Sequence, residues 1–205
     1  MSAAGRRVVL ATRNAGKLTE LRRILAREAP GCEVLGLDDV PPYDEPAETE
    51  PTFEGNALIK ARAALVATGL PALADDSGLC VDALNGMPGV LSARWAGGRD
   101  DGANNALLLA QLAEVPDERL GAEFRCAMAL AAAGGGDEAV EVGVVRGRLL
   151  REPRGSGGFG YDPLFVADGQ SVSNAELAPA DKDAISHRGR ALRAIVPALV
   201  AVARR

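Results

Sequence analysis

The stretch Leu73-Ala74-Asp75-Asp76-Ser77-Gly78-Leu79 most constrains what this chain can become. With Pro71 before it and Gly78 within it, the apolar run reads as a short buried strand bounded by turn signals. That strand is expected to end in two adjacent carboxylates. At ~4 Å and an effective dielectric of ~20, two such charges repel by about 4 kcal/mol. A fold bears that cost where a cation neutralises it. Successive side chains on a strand point to opposite faces. One acid is therefore expected to face a shared site, while the other holds backbone or supporting groups. A solvated Asx-type turn is the plain alternative.

Composition narrows the classes. A chain of 205 residues with 47% hydrophobic and 25% charged residues can bury a substantial core. It reads as a single domain over 1–205, since no repeat, low-complexity linker or clean internal boundary appears. The net charge of -5 argues against a nucleic-acid polymer as partner. It also means that a polyanionic substrate needs local cations. Cys32, Cys80 and Cys126 are scattered and without C-x-x-C spacing, which suits a reducing compartment and argues against zinc. His187 is the sole histidine, so a multi-histidine metal site is excluded. The N-terminus lacks the look of a signal peptide, and no apolar run is long enough for a membrane. A cytoplasmic protein with no membrane partner is expected.

Along the chain, Arg7–Ala11 reads as a strand and Lys17–Glu28 as a helix with Leu18, Leu21 and Leu25 in register. Between them Thr12-Arg13-Asn14-Ala15-Gly16-Lys17 forms a strand–loop–helix junction. Free backbone N–H groups and the helix dipole converge at such a place and suit an anion. The Walker pattern is absent, and a capped helix start with a solvated lysine is the bland reading. Glu33–Leu37 is a candidate second strand. Asp38–Pro51 reads as an acidic, proline-containing loop whose Glu45, Glu48 and Glu50 are oxygen donors suited to Mg²⁺. Thr52 is expected to cap a helix with Ala57, Leu58, Ala61, Ala64 and Leu65 on its apolar face. Asn56 and Lys60 then share another face of it. Asn104–Ala113 is a further helix, and Trp95 reads as core or interface.

Phe124–Ala133 and Ala139–Leu149 read as two strands of a hairpin joined at Gly134-Gly135-Gly136. Parallel-type units early and a hairpin late predict a mixed sheet. The glycine-dense Arg154–Pro163 segment lets backbone approach a ligand closely. Its Phe159 and Tyr161 could stack on a nucleobase, worth about 1–3 kcal/mol. The alternative is a loop with both aromatics tucked into the core. His187 and Arg188 precede a last helix carrying Leu192, Ile195, Val196 and Leu199, in which Pro197 is expected to cause a kink.

Five blocks together resemble the inosine triphosphate pyrophosphatase family over nearly the whole chain. They are Ala11–Lys17, Thr52-Phe53 with Asn56-Ala57 and Lys60-Ala61, Ala74–Leu79, Gly157–Pro163 and Ile185–Gly189. The resemblance implies an α/β fold: an elongated mixed β-sheet flanked by helices, with two lobes and a central cleft. It implies a homodimer, Mg²⁺, and hydrolysis of inosine, deoxyinosine or xanthosine triphosphate to monophosphate and pyrophosphate.

Carried over residue by residue, Thr12, Arg13, Asn14, Ala15, Gly16 and Lys17 would hold phosphates, with Lys60 near them. Asp76 would bind metal and accept a proton, and Ser77 would touch substrate. Phe159, Gly160, Tyr161, Asp162, Lys182, His187 and Arg188 would bind the nucleotide and its base. Glu48 matches the family's metal-binding glutamate. Here Glu48-Thr49 is followed by Glu50 where the family has glycine, so Glu45 and Glu50 remain alternatives. A pyrophosphatase for other modified nucleotides and a non-catalytic nucleotide-sensing module are the competing functions.

Overall fold

The computed structural model describes residues 6–133 and 138–202. Among the described residues, six strands form one sheet in the order β2-β1-β3-β4-β5-β6. They are β1 (Arg6–Leu10), β2 (Cys32–Leu35), β3 (Ala72–Val81), β4 (Gly121–Ala131), β5 (Glu138–Leu149) and β6 (Phe165–Ala167). The helices are α1 (Ala15–Glu28), α2 (Phe53–Thr68), α3 (Asp101–Gln111), α4 (Pro179–Ile185) and α5 (His187–Val202).

The sheet is mixed. β1 runs parallel to β2, with Val8 opposite Val34, and parallel to β3, with Leu10 opposite Leu73. Parallel neighbours require a crossover connection, and α1 and α2 supply it. At the other edge β5 and β6 are antiparallel, with Leu149 opposite Phe165. Strands β4 and β5 are sheet neighbours as the hairpin reading expects, while its Gly134-Gly135-Gly136 turn lies outside the described residues.

The chain divides into two compact units. The first takes the described residues up to Asp76, those within Cys126–Gly143 and those from Arg188 onward. Its core packs Leu21, Ile24 and Leu25 of α1 and Leu192, Ile195 and Leu199 of α5 against Val8, Leu73 and Met128 of the strands. The second takes Ser77–Arg125 and Val144–His187. Its core gathers Leu79, Val81, Leu108, Phe124, Tyr161 and Phe165. Strands β3, β4 and β5 each contribute residues to both units, so no cut in the sequence separates them.

Several elements depart from the sequence expectations. β3 does not end at the acids but continues through Ser77 and Gly78 to Val81. Gly78 makes that passage possible: a Cβ there would meet Ser92 Oγ at 2.3 Å and the Gly89 carbonyl oxygen at 2.4 Å. The second strand stops at Leu35, and Leu37–Asp39 forms a 3₁₀ turn instead. β6 and α4 have no counterpart among those expectations; at three and seven residues they are too short for periodicity to show. The last helix, by contrast, is present as expected, carries Pro197 within it and runs to Val202. Trp95 is half-buried and donates from Nε1 to Gln111 Oε1 at 2.8 Å.

Candidate active site

The first-unit cluster begins at α2. Thr52 caps the helix by accepting the Gly55 N–H at 3.1 Å, and Gly69 closes it in the left-handed region. Its buried positions are Phe53, Asn56, Ala57, Lys60, Ala61 and Ala64. Asn56 and Lys60 therefore lie on the packed face of the helix, not on a separate one. The small alanines beside them leave room for the two polar side chains to reach inward.

Asn56 is a junction. Its Nδ2 donates to Asp76 Oδ2 at 3.1 Å and to the Glu50 carbonyl at 3.2 Å, and its Oδ1 accepts the Glu50 N–H at 3.0 Å. One amide thus fixes the end of the acidic loop beside the β3 carboxylate. Lys60 Nζ lies 2.9 Å from Glu48 Oε1 and 3.7 Å from Asp76 Oδ1. Burial disfavours its ammonium, but Asp76, Asp75 and Glu48 outweigh that and hold its pKa above the usual lysine value. Burial also dominates at Asp76. With Glu48 adding to it, it raises the carboxyl pKa despite the opposing pull of Lys60, Lys17 and Asn56. A carboxylate shifted this way is a better proton acceptor.

The three loop acids part company. Glu45 pairs with Arg13 at 2.9 Å on the surface. The Glu50 side chain lies against Gly55, where a Cβ would meet its Cβ at 2.6 Å. Glu48 alone of the three shares Lys60 with Asp76. Among the described residues, no group of three or more His, Cys, Asp or Glu side chains is placed to hold a metal. The Asp76–Glu48 pair nevertheless fits a magnesium ion in kind. Both are hard oxygen donors, both already attract one cationic group, and Mg²⁺ commonly uses one or two carboxylates with water and phosphate oxygens.

Asp75, pointing to the other face of β3, has a different partner set. Lys17 Nζ lies 3.0 Å from its Oδ2 and Arg188 Nε 3.3 Å from the same atom. Arg188 Nη1 also donates to Glu20. Burial alone pushes the Asp75 carboxyl up, but Lys17, Arg188 and Lys60 together pull it well below the usual range. The same two acids outweigh burial at Arg188 and raise its pKa. The two adjacent acids thus take different partner sets, Asp76 with Asn56 and Lys60 and Asp75 with Lys17 and Arg188.

At the β1–α1 junction Asn14 Oδ1 accepts the Lys17 N–H at 3.0 Å, and Thr12 Oγ1 accepts the Asn14 N–H at 3.3 Å. The cap leaves the N–H groups of Ala15 and Gly16 as first-turn donors it does not use. Arg13 is exposed. Ser77 follows Asp76 on β3 and is half-buried.

The second-unit cluster is built on the glycine loop. Gly158 and Gly160 both adopt left-handed backbone, at φ 70° and 62°. A Cβ on Gly158 would meet Asp162 Oδ2 at 2.2 Å. Asp162 Oδ2 accepts the Phe159 N–H at 2.9 Å and Lys182 Nζ at 2.5 Å, and its Oδ1 accepts Asn174 Nδ2 at 3.2 Å. Lys182 Nζ stands 4.9 Å from the centroid of the half-buried Phe159 ring. Tyr161 is buried in the core with its hydroxyl donating to the Ser92 carbonyl at 3.0 Å. It is a packing residue, which leaves Phe159 as the half-buried aromatic of this loop. His187 is buried and stacks on Phe124 at 4.8 Å with the rings 9° apart.

Within the first unit the fold thus gathers Lys17, Glu48, Lys60, Asp76 and Arg188. Within the second it gathers Phe159, Gly160, Asp162 and Lys182. Sequence reasoning missed Glu20 and understated Asn56. Glu20 is buried three residues after Lys17 on the packed face of α1, and an acid beside Leu21 and Ile24 was the available signal.

Comparison with known proteins agrees with the motif resemblance. Residues 8–198 match the Ham1 family. The dITP/XTP pyrophosphatase of Nocardia farcinica is 64% identical over 201 residues, covering 97% of each chain. The crystal structure of the nucleoside-triphosphatase / dITP/XTP pyrophosphatase of Mycobacterium abscessus is similar at 55% identity. It has a TM-score of 0.75 and covers 93% of this chain and 99% of that one. The HAM1 protein structure from Coxiella burnetii is similar at 41% identity and TM-score 0.83, covering 95% and 98%. Matched through both its units, this chain belongs to the Ham1 family.

Proposed function

We propose that this protein hydrolyses the triphosphates of inosine, deoxyinosine and xanthosine to monophosphate and pyrophosphate, clearing altered purines from the nucleotide pool. The observation that carries the reading is the Asp76–Lys60–Glu48 cluster, in which Asp76 and Lys60 are buried and Glu48 is half-buried. It occurs in a chain 64% identical to a protein named dITP/XTP pyrophosphatase.

The chain's own residues divide the work. Lys17, Lys60 and the Ala15 and Gly16 N–H groups bind the phosphates and stabilise charge on the departing pyrophosphate. Thr12 and Asn14 hold the loop that presents those donors, with Arg13 at its exposed edge and Ser77 contacting substrate next to Asp76. Asp76 orients a water and accepts its proton at a carboxylate oxygen for attack at the α-phosphorus. Asp76 and Glu48 would hold Mg²⁺, which when bound neutralises phosphate charge and lowers the pKa of a bound water.

Phe159 offers a ring face to the base, with Lys182 against the ring and Asp162 holding the Phe159 backbone N–H. A donor from His187 or Arg188 to the oxygen at position 6 of hypoxanthine or xanthine would leave adenine, with an amine there, facing an unpaired donor. Such a mismatch costs roughly 1–3 kcal/mol. The protein is proposed to act as a cytoplasmic homodimer, in keeping with the family resemblance and its three scattered cysteines.

Pyrophosphate release from purified protein with Mg²⁺ tests this directly. A kcat/KM at least about tenfold higher for inosine triphosphate than for ATP is expected from that mismatch. Equal values, or no release from any purine triphosphate, would sink the reading. Asp76→Asn should abolish turnover while the melting temperature stays within a few degrees.

A further inference from the structure

We propose that Asp101 and Asn105 are positioning residues that set the base-stacking loop by gripping both sides of Gly160. The inference rests on the reading above that Phe159 stacks on the base. Four residues apart on α3, the two side chains share one face of the helix. The Gly160 N–H donates to Asp101 Oδ2 at 2.6 Å. Asn105 Nδ2 donates to the Gly160 carbonyl at 3.0 Å. One residue is thus held through its donor and its acceptor at once, immediately after Phe159.

Three details separate this clamp from ordinary loop packing. The cap of α3 is already made by Asp100, whose Oδ1 accepts the Ala103 N–H at 2.9 Å. The Asp101 carboxylate is therefore left for the loop. Gly160 sits at φ 62°, with nothing within 4 Å of where a Cβ would lie. Its conformation is held by its hydrogen bonds, not by crowding. Asn105 Oδ1 is buried and, among the described residues, has no hydrogen-bond partner. Turning the amide over would bring that oxygen against the Gly160 carbonyl, so the present orientation keeps the loop bond and leaves the acceptor unsatisfied. A buried acceptor in that condition disfavours the fold. Its neighbour Asn104 shows the contrast: its Oδ1 accepts the Ala96 N–H at 2.7 Å and its Nδ2 donates to the Ala93 carbonyl at 3.4 Å. Asn104 uses both ends for structure, whereas Asn105 uses one end for the loop.

The ring of Phe159 then lies between two fixed points. Lys182 stands against the ring, Asp162 holds the Phe159 backbone N–H on one side, and the Gly160 peptides, set from α3, fix the backbone on the other. Loosening α3's grip should weaken base binding without touching the phosphate end.

Steady-state pyrophosphate release from inosine triphosphate, inhibition by inorganic triphosphate, and thermal melting test the idea on Asn105→Leu, Asp101→Ala, Asp101→Asn and Phe159→Ala. The first two should raise KM roughly tenfold with kcat changed less than about twofold. The inhibition constant of inorganic triphosphate, which has no base, should not move. Asn105→Leu removes the unsatisfied oxygen together with the loop bond, two opposed effects, so it should melt within a few degrees of wild type. Asp101→Asn, which still offers an acceptor, should recover most of the loss. Unchanged KM in both clamp variants while Phe159→Ala raises it would overturn the clamp and leave the stacking reading standing. Unchanged KM in Phe159→Ala would overturn the stacking reading and the clamp with it. A parallel rise in KM and in the inhibition constant would show general loosening and also overturn the clamp.

Discussion

At the scale of single residues, the neighbouring acids of β3 differ because their partners differ. Asp75 is fully buried between Lys17 and Arg188. Removing one member of a buried ion network leaves the others uncompensated, at a cost of about 3–5 kcal/mol. Asp75→Asn should therefore lower the urea midpoint strongly at neutral pH. The sign with pH follows from the direction of the shift. Its folded pKa lies below the unfolded value, so its contribution is full above about pH 4 and is lost as pH falls through the folded value. The stability gap between wild type and Asp75→Asn should accordingly narrow in acid; a gap that widened there would contradict the pairing. The cysteines give a second check. Burial, with Glu123 adding to it, pushes the Cys80 thiol up to about 11. Burial and then Asp75 push Cys126 up to about 12. Both should resist a thiol-modifying reagent at pH 7.5 until denaturant is added, since the thiolate is the reactive form. Rapid labelling of Cys126 in the native protein would show that its site opens.

At the scale of elements, α2 does more than cover the sheet. Gly55 stands in its first turn, where alanine ordinarily gains about 1 kcal/mol over glycine. Here a Cβ would sit 2.6 Å from Glu50 Cβ and 2.7 Å from its Cγ. Those atoms are close to the loop backbone and cannot swing aside. Gly55→Ala should reverse the usual sign, lowering the melting temperature and displacing the loop that Asn56 ties to Asp76. Because Glu48 lies in that loop, kcat should fall as well. A stabilised, fully active Gly55→Ala would show that the loop packs elsewhere. The Thr52 cap offers a milder comparison. Thr52→Ala should cost about 1 kcal/mol in denaturant titration and leave KM alone.

At the scale of the whole molecule, the two units carry different halves of the proposed chemistry. Carboxylates and cations suited to a metal-bound triphosphate lie in the first, and the aromatic loop suited to a base lies in the second. Among the described residues, no helix is long and apolar enough to cross a membrane. Magnesium supply should control the first half. Treating the protein with a chelator should abolish pyrophosphate release, and adding Mg²⁺ back should restore it. Activity that survives the chelator would remove Asp76 and Glu48 as metal ligands. Light scattering after size exclusion, at a mass near twice 21.1 kDa, would support the proposed dimer.

The strand–loop–helix junction at Thr12–Lys17, the Thr52 cap, the glycine loop and the mixed character of the sheet are all legible in the residues alone. Each is written in local chemistry: apolar periodicity, a capping hydroxyl, glycines dense enough to need left-handed backbone. The same short-range logic also separated the two acids of β3 onto opposite faces. Their partners were set by packing between distant segments. That Lys17 goes to Asp75, that Arg188 goes to Glu20 and Asp75, and that Lys60 is buried between Glu48 and Asp76 all depend on contacts distant in sequence. So does the sorting of the aromatics, with Tyr161 in the core and Phe159 left beside Lys182. Local propensity carries no record of which charge will be buried against which, because that choice is made by packing and desolvation once the strands and helices have met.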